Sequence, residues 1–365
     1  MARSKRILVI RLGDLGDVLL AEPALRSLRL AHPTAEIDLI TRSGVEPLVR
    51  LFDLNLTIIP SVGGRGLSRT LATAQLRQLM ALRRRSYDQV VLLHHLTTAR
   101  GSVLQQLLVR ATGARERLGL DNGRGWALTH SIPDLGFGAK HEVTYALDVA
   151  RAAGGVEVAP VPQVSGIPTR LTSRTTTISS STAGDAPLHV VLYPAVGAYS
   201  LARAWHPERF AELARQLTDV GHQVSIVGAN DAADAAHQIV RHAPQAIDHT
   251  GQLDIPTLAG FLRTADVVVG GDSFIGHLAA AVGTPVVTIF GPSNAGAWRP
   301  AVATPETGAV VQAGLPCQPC LYTGFRLGRP QGCPSVACMN VIQTGQVQAA
   351  IARVTSNAHR RGNSQ

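Results

Sequence analysis

The sequence is poor in lysine, aromatic residues and cysteine, and it contains no long apolar run. Lys5 and Lys140 are the only lysines among 34 basic residues, aromatic residues make up 4% of the 365 positions, and there are four cysteines. No uninterrupted apolar segment of about 18 residues occurs, which excludes a predicted membrane span. Arg11 and Asp14 interrupt the N-terminal apolar run too early for a signal peptide, so we expect a cytoplasmic protein.

Nearly all of the positive charge comes from arginine, and the net charge of the chain is +9. The guanidinium fork binds phosphate and carboxylate, so anionic partners are expected, and the base composition of a GC-rich genome is the alternative explanation. Arg83, Arg84 and Arg85 are not interleaved with aromatic residues as a stacking platform requires, so nucleic acid is not a predicted partner. A basic surface favours peripheral contact with the anionic inner membrane or with a phosphorylated acceptor.

Two common nucleotide-binding signatures are also missing. Gly13 and Gly16 stand in the first loop without the third spaced glycine of the dinucleotide pattern, and there is no Walker phosphate loop. The sequence therefore does not predict a nicotinamide or flavin enzyme, and we expect no cofactor.

Short apolar runs alternate with helical patterns along the chain. In the first half, strands are predicted at 6–11, 36–41 and 88–95. Helices are predicted at 17–31, 71–85 and 101–111. This alternation predicts an α/β fold whose parallel sheets are covered on both faces. The chain length gives about two domains.

A segment rich in Pro, Ser, Thr and Gly divides the chain. The predicted organisation is an N-terminal domain at 1–160, a linker at 161–187, a C-terminal domain at 188–345, a helix at 346–355 and a disordered tail at 356–365. Strands of the second half are predicted at 188–194, 222–228, 266–271 and 284–290. A helix entered at Pro207 is predicted to carry an apolar stripe of Phe210, Leu213, Leu217 and Val220.

The first candidate site is the stretch RLGDLGD, Arg11 to Asp17, which lies between a predicted strand and a predicted helix. Glycine turns the chain there and an aspartate caps the helix, which accounts for one carboxylate and not for both Asp14 and Asp17. Ligands of open parallel sheets bind beyond the carboxyl ends of the strands, so the second carboxylate is a candidate for chemistry.

The second candidate site is GGDSFIGHLAAAVGTP, Gly270 to Pro285. Asp272 and Ser273 follow a strand and open a helix that carries Gly276 and His277. A hydroxyl, free helix N–H groups and an imidazole together favour a diphosphate-binding loop, whereas capping by Asp272 or Ser273 with a packed His277 is the alternative.

Arg203 lies in the loop that follows the first strand of the second domain. It is a candidate phosphate clamp, and a solvated loop arginine is the alternative.

Two further clusters raise the question of a metal. DAADAAH, Asp231 to His237, is interpreted as a solvated helix face. Cys317, Cys320, Cys333 and Cys338 allow a structural zinc site, although reduced thiols are favoured and no metal is predicted.

Four stretches together resemble glycosyltransferase family 9, the heptosyltransferases of lipopolysaccharide core synthesis. They are RILVIRLGDLGDVLLAEPALRSLR, YSLARAWHPERFAELA, DSFIGHLAAAVGTPVVTIFGPSNAGAWRP and CMNVIQTGQVQAAI. The resemblance runs through most of the chain outside the linker and the tail.

This resemblance implies a GT-B fold, with two Rossmann-like domains facing across a cleft and ADP-heptose held mainly by the C-terminal one. It implies an inverting, metal-independent transfer to a lipopolysaccharide core or other envelope glycan, with Asp17 in the position of the family's base. Gly16, Arg203, Asp272, Ser273, Gly276 and His277 are the corresponding donor-binding candidates. The absence of an Asp-x-Asp motif agrees with a metal-free mechanism.

The sequence departs from the family pattern at three positions. Asp14 stands where the family often has a small residue or Ser, Phe274 where it commonly has Gly, and Arg203 where it has Lys. The alternatives are another GT-B enzyme that uses UDP or GDP sugars, a nucleotide-sugar epimerase, and a nucleotide-binding protein without turnover. Retention of Asp17 favours a transferase.

Overall fold

The computed structural model describes residues 4–61, 69–167 and 186–362. The chain divides into two units, which are Met1–Ser165 with Gly324–Leu327 and Gly166–Thr323 with Gly328–Gln365. The break after Ser165 falls within the segment predicted as the linker, of which residues 168–185 lie outside the described part of the chain.

The first unit is built on a sheet of six parallel strands in the order β3-β2-β1-β4-β5-β6. The strands are β1 Arg6–Ile10, β2 Glu36–Thr41, β3 Thr57–Pro60, β4 Gln89–Leu92, β5 Glu116–Asp121 and β6 His130–Pro133. β1 lies centrally, with Ile7 opposite Ile37 of β2 and opposite Gln89 of β4. Its apolar side chains are fully buried, as in a parallel sheet that is covered on both faces.

The helices of the first unit are α1 Leu15–Leu20, α2 Glu22–Ala31, α3 Glu46–Arg50, α4 Arg69–Arg84, α5 Ala99–Ala111 and α6 Glu142–Ala152. The single helix predicted at 17–31 is therefore two helices, α1 and α2. Pro23 has no N–H to continue the ladder of α1, and the chain instead closes α1 with a bond from Ala21 N–H to the Val18 carbonyl. Strand β4 ends at Leu92, three residues before the predicted end, so His94 and His95 lie beyond the strand.

The second unit repeats the architecture, with six parallel strands in the order β12-β11-β10-β7-β8-β9. The strands are β7 His189–Tyr193, β8 Gln223–Ile226, β9 Ile247–Asp248, β10 Val267–Gly271, β11 Val286–Phe290 and β12 Gly308–Gln312. The helices are α7 Pro207–Asp219, α8 Ala233–His242, α9 Ile255–Leu262, α10 Phe274–Ala281, α11 Ala295–Trp298, α12 Ala337–Asn340 and α13 Thr344–Gly362. The two sheets confirm the predicted α/β class with parallel sheets.

Two predicted helix ends differ from the structure. Helix α7 ends at Asp219, so Val220 is exposed while the other three residues of the predicted apolar stripe are buried. Helix α13 continues to Gly362, so the backbone of 356–362, predicted as a disordered tail, is helical, and residues 363–365 lie outside the described part. None of the described helices combines the length and apolar content needed to cross a membrane.

Candidate active site

The loop from β1 to α1 turns the carboxylate of Asp17 back over the start of its own helix. Asp17 is the third residue of α1, and its Oδ2 accepts the backbone N–H of Asp14 at 2.9 Å. Its Oδ1 forms an ion pair with Nη2 of Arg11 at 3.0 Å. Gly13 makes room for this arrangement, because an added Cβ there would lie 2.2 Å from Cβ of Asp17.

Arg11 is held by the backbone as well as by the carboxylate. Its Nε donates to the Asp17 carbonyl at 3.1 Å, and its Nη1 donates to the carbonyl of Leu93, just beyond β4. The residue is 7% exposed, so the guanidinium has little freedom to leave Asp17. The spacing of the RLGDLGD stretch alone does not predict this arginine as the partner of the candidate base.

The environment of Asp17 favours a carboxylate that readily takes up a proton. Desolvation by burial raises its pKa, the positive charge of Arg11 and the Asp14 N–H lower it, and the negative charge of Glu142 raises it further. Together these effects raise the pKa of Asp17 above its usual value. The side chain is still 29% exposed, so a substrate hydroxyl can reach it.

Asp14, the other carboxylate of the loop, has a different environment. It is the residue that precedes the first turn of α1, and its side chain is 70% exposed and forms an ion pair with Arg42. A pair this exposed contributes little to stability. The structure therefore separates an accessible surface carboxylate from one that is anchored by a buried arginine.

Two histidines just beyond β4 lie near this loop and were not singled out from the sequence. His94 Nε2 accepts the N–H of Leu12, and burial together with the Arg11 charge holds the pKa of His94 well below its usual range. The ring is therefore neutral. A signal was present, because the strand predicted at 88–95 ends in His-His and neighbours the first strand.

His95 is buried between two carboxylates. Its Nδ1 lies 2.9 Å from Oδ1 of Asp134, and its Nε2 lies 3.0 Å from Oε1 of Glu142. Burial lowers the pKa of His95, but hydrogen bonds to the two carboxylates outweigh it and raise the pKa to about 9. At neutral pH the ring is an imidazolium with both N–H groups paired.

In the second unit, the turn from β10 to α10 brings four predicted residues together. Ser273 precedes the first turn of α10 and makes no capping hydrogen bond with its side chain. Its Oγ is buried without a partner among the described residues, so this hydroxyl is available to an anion. Gly276 is required by packing, because an added Cβ would lie 2.5 Å from the hydroxyl of Tyr193.

His277 and Asp272 are both buried beside this turn. Asp272 pairs with Arg203, whose Nη1 lies 3.2 Å from the carboxylate Oδ2 and also donates to the Asp272 carbonyl at 3.1 Å. Arg203 donates further to the carbonyls of Ser200 and Gly197, each at 3.3 Å. Its donors thus hold its own loop against the turn that begins α10.

Two clusters raise the question of a metal site from the sequence, the four cysteines and the segment from Asp231 to His237. All four cysteines border one small cavity together with Pro292 and Gln318, and Asp231, Asp234 and His237 are exposed. Within the described ranges, no group of three or more His, Cys, Asp and Glu side chains is arranged to hold a metal ion.

Two parallel six-stranded sheets, each with a polar loop at the carboxyl end of a central strand, define an α/β protein of the GT-B class. The family model described as glycosyltransferase family 9 (heptosyltransferase) matches residues 75–328. Lipopolysaccharide heptosyltransferase 3 of Escherichia coli is 25% identical over 296 residues, which cover 78% of this chain and 83% of that protein.

Solved structures agree on the fold. The E. coli ADP-heptose lipopolysaccharide heptosyltransferase II superposes with a TM-score of 0.69 at 20% identity, over 97% of this chain and 99% of that one. The E. coli heptosyltransferase WaaC with ADP gives a TM-score of 0.68 at 17% identity, over 96% and 99% of the two chains. The protein belongs to glycosyltransferase family 9 and is an enzyme with glycosyltransferase activity.

Proposed function

We propose that the enzyme transfers a heptose from ADP-heptose to a lipopolysaccharide core or another cell-envelope glycan. The family and the named relative support heptose and lipopolysaccharide, and the solved structure of WaaC with ADP supports an adenine nucleotide. The unpartnered Ser273 hydroxyl at the start of α10 supports a diphosphate-binding loop in the second unit.

The observation that carries the proposal is the environment of Asp17. The carboxylate is oriented by Arg11 and by the Asp14 N–H, it is partly accessible, and its pKa is raised. A positioned carboxylate of raised basicity is what general-base catalysis needs, provided that it is ionised at the working pH. The Arg11 charge favours that ionised form.

In the proposed reaction, Asp17 takes the proton of an acceptor hydroxyl while the hydroxyl oxygen bonds to the anomeric carbon of the donor. The bond between that carbon and the diphosphate oxygen breaks, and ADP leaves with the electron pair. A single displacement inverts the anomeric centre. The free N–H groups at the start of α10 and the Ser273 hydroxyl stabilise the charge on the leaving diphosphate, and no step uses a metal ion.

The test compares Asp17→Asn with Asp14→Asn. Asparagine cannot accept the acceptor's proton, so Asp17→Asn lowers turnover by about two to four orders of magnitude. ADP affinity, measured by titration calorimetry, changes little because the diphosphate loop belongs to the other unit. Asp14→Asn is the matched control from the same loop, with an expected loss of at most about 1 kcal/mol of stability. An inactive Asp14→Asn enzyme beside an active Asp17→Asn enzyme would reverse the assignment.

A further inference from the structure

Helices α4 and α5 of the first unit form an exposed surface that is both apolar and basic. They contact each other, and because parallel crossovers are right-handed, the connections from β3 to β4 and from β4 to β5 place them on the same side of the sheet. We name this surface the α4/α5 face. Its exposed side chains are the apolar Leu76, Met80, Val103, Leu104 and Leu107 and the arginines Arg77, Arg83, Arg84, Arg100 and Arg110.

Helix α5 buries Val109 and packs Leu108 against the core, but it leaves two of its three leucines exposed. Leu104 and Leu107 are 57% and 51% exposed, while Ser102 and Gln106 point inward and are buried. The Oγ of Ser102 and the Nε2 of Gln106 have no hydrogen-bond partner among the described residues. Exposed leucines and unpaired buried polar atoms are both unfavourable, so Leu104 and Leu107 form apolar surface that the packing of this unit does not use.

The charge of the α4/α5 face is entirely positive. Neither helix contains an acidic residue, and residues 54–115 contain nine arginines and one aspartate, Asp88. No ion pair among the described residues involves any of the five arginines of the face. On α5, Arg100 and Arg110 lie at the two ends of the leucine stripe, because residues 100, 104 and 107 and residues 103, 107 and 110 follow the helical period.

We infer that the α4/α5 face docks on the surface of an anionic lipid bilayer. Apolar side chains flanked by arginine match the boundary between acyl chains and charged headgroups. A second copy of the chain fits this surface poorly, since a twofold contact would place the arginines of one copy against those of the other. The inference rests on the proposed function only in supposing a lipid-borne acceptor, and bilayer binding is measured without sugar transfer.

The experiment is co-sedimentation of the full chain with vesicles of phosphatidylethanolamine and phosphatidylglycerol, compared with phosphatidylcholine vesicles. The wild type binds the anionic vesicles at low salt, and added salt weakens the binding because screening shortens the range of the attraction. Arg100→Gln with Arg110→Gln lowers the affinity about twenty-five-fold, at about fivefold for each arginine. Leu104→Gln with Leu107→Gln lowers it about tenfold or more, since these leucines no longer enter the interface.

Matched controls come from the second unit, where Val220→Gln with Arg241→Gln removes an exposed apolar and an exposed basic residue and leaves binding unchanged. Trp126 provides a reporter, because the next residue, Ala127, donates its N–H to Gln106 of α5 at 2.9 Å. Its emission shifts to the blue on anionic vesicles, and Trp126→Phe removes that shift.

Transfer to a delipidated, water-soluble acceptor separates a docking defect from a folding defect. Both face variants keep this activity while they lose vesicle binding. The inference is overturned if the wild type does not bind anionic vesicles at low salt or if the face variants bind them as the wild type does. It is also overturned if light scattering shows a dimer that the leucine variant disrupts. Vesicle binding by a chain that transfers no heptose would refute the proposed function and leave the docking surface standing.

Discussion

At the scale of single residues, Asp14 and Asp17 show how three positions along a chain change the chemistry of a carboxylate. Asp14 is solvated and pairs with Arg42, which is also exposed, whereas Asp17 is fixed by Arg11 and by a backbone N–H. The difference arises because α1 begins between them, so the third residue of the helix reaches back over the first turn. Arg11 is therefore expected to set both the orientation and the basicity of the proposed base.

Replacing Arg11 tests this dependence through the pH profile. The Arg11 charge lowers the pKa of Asp17, so Arg11→Gln raises that pKa further. Because the base must be ionised, the acidic limb of kcat/KM moves to higher pH in this variant. Arg11→Lys keeps a positive charge and shows a smaller displacement, although its geometry is changed. An unchanged limb in Arg11→Gln would mean that Asp17 is not the group whose ionisation controls the rate.

At the scale of elements, the start of α10 is a helix N-terminus whose capping residue does not cap. Changing a serine that caps a helix to alanine normally lowers the stability of the protein by about 1 kcal/mol. The Ser273 side chain makes no such bond, and its hydroxyl is unpartnered among the described residues. This agrees with the role in anion binding that we propose for Ser273.

Ser273→Ala separates these two roles. The unfolding free energy changes by a few tenths of a kcal/mol, because no cap bond is lost. ADP affinity falls about tenfold, as expected when one hydrogen bond to a charged group is removed. Thermal melting and ADP titration of the same variant check both parts. A large loss of stability with unchanged ADP affinity would show that Ser273 serves the helix alone.

His277→Ala tests the neighbouring imidazole. His277 is buried on α10, so truncation costs some stability, but a direct contact with the diphosphate predicts a further loss of roughly ten- to hundredfold in ADP affinity. The measurement is ADP titration of a variant shown to be folded by circular dichroism. Wild-type affinity in the folded variant would return His277 to a packing role.

His95 connects three elements of the first unit, since it leaves the end of β4 and pairs with Asp134 after β6 and with Glu142 at the start of α6. Its pKa is raised from 6.5 to about 9 in the folded chain. A raised folded pKa contributes stability that is complete below the unfolded value and is lost as pH rises through the folded value. This stabilisation is therefore present at pH 6.5 and gone above about pH 9.

Urea unfolding at pH 6.5 and pH 9.5 measures this contribution, which is about 3 kcal/mol for a shift of this size. Far-UV circular dichroism follows the transition. His95→Asn removes the pH-dependent part, whereas His242→Asn, at an exposed position of α8, keeps it. An equal fall in stability in wild type and His95→Asn would exclude His95 as its source.

At the scale of the whole molecule, the two units carry different parts of the proposed reaction. The proposed base belongs to the first unit and the proposed diphosphate loop to the second. A ligand that binds only the folded state raises the melting temperature by mass action. We therefore expect mutations to separate the proposed nucleotide binding from the proposed proton transfer.

A thermal-shift panel of ADP, UDP and GDP tests both the nucleotide and the separation. ADP at about a hundred times its Kd adds about 2.7 kcal/mol to the unfolding free energy, a rise of several degrees. UDP and GDP give smaller shifts, and Asp17→Asn keeps the ADP shift. A larger shift with UDP or GDP would reassign the donor while leaving the family unchanged.

Much of this protein was determined by local sequence pattern. The alternation of apolar runs and helical periods predicts the α/β class with parallel sheets, because side-chain periodicity decides which face of an element is buried. The resemblance to glycosyltransferase family 9 rests on short motifs at strand ends, and both candidate loops lie at such ends. Residues within one loop can be located from sequence because their spacing is covalently fixed.

The tertiary structure alone decided which side chains meet. Arg11 reaches the Leu93 carbonyl, His95 reaches Asp134 and Glu142, and the cysteines gather at one cavity, all across separations that periodicity does not encode. The same is true of α5, where Leu108 packs against the core while Leu104 and Leu107 are exposed. These features depend on strand order and packing, in which many distant segments compete for the same neighbours, and so they appear only when the whole sheet has formed.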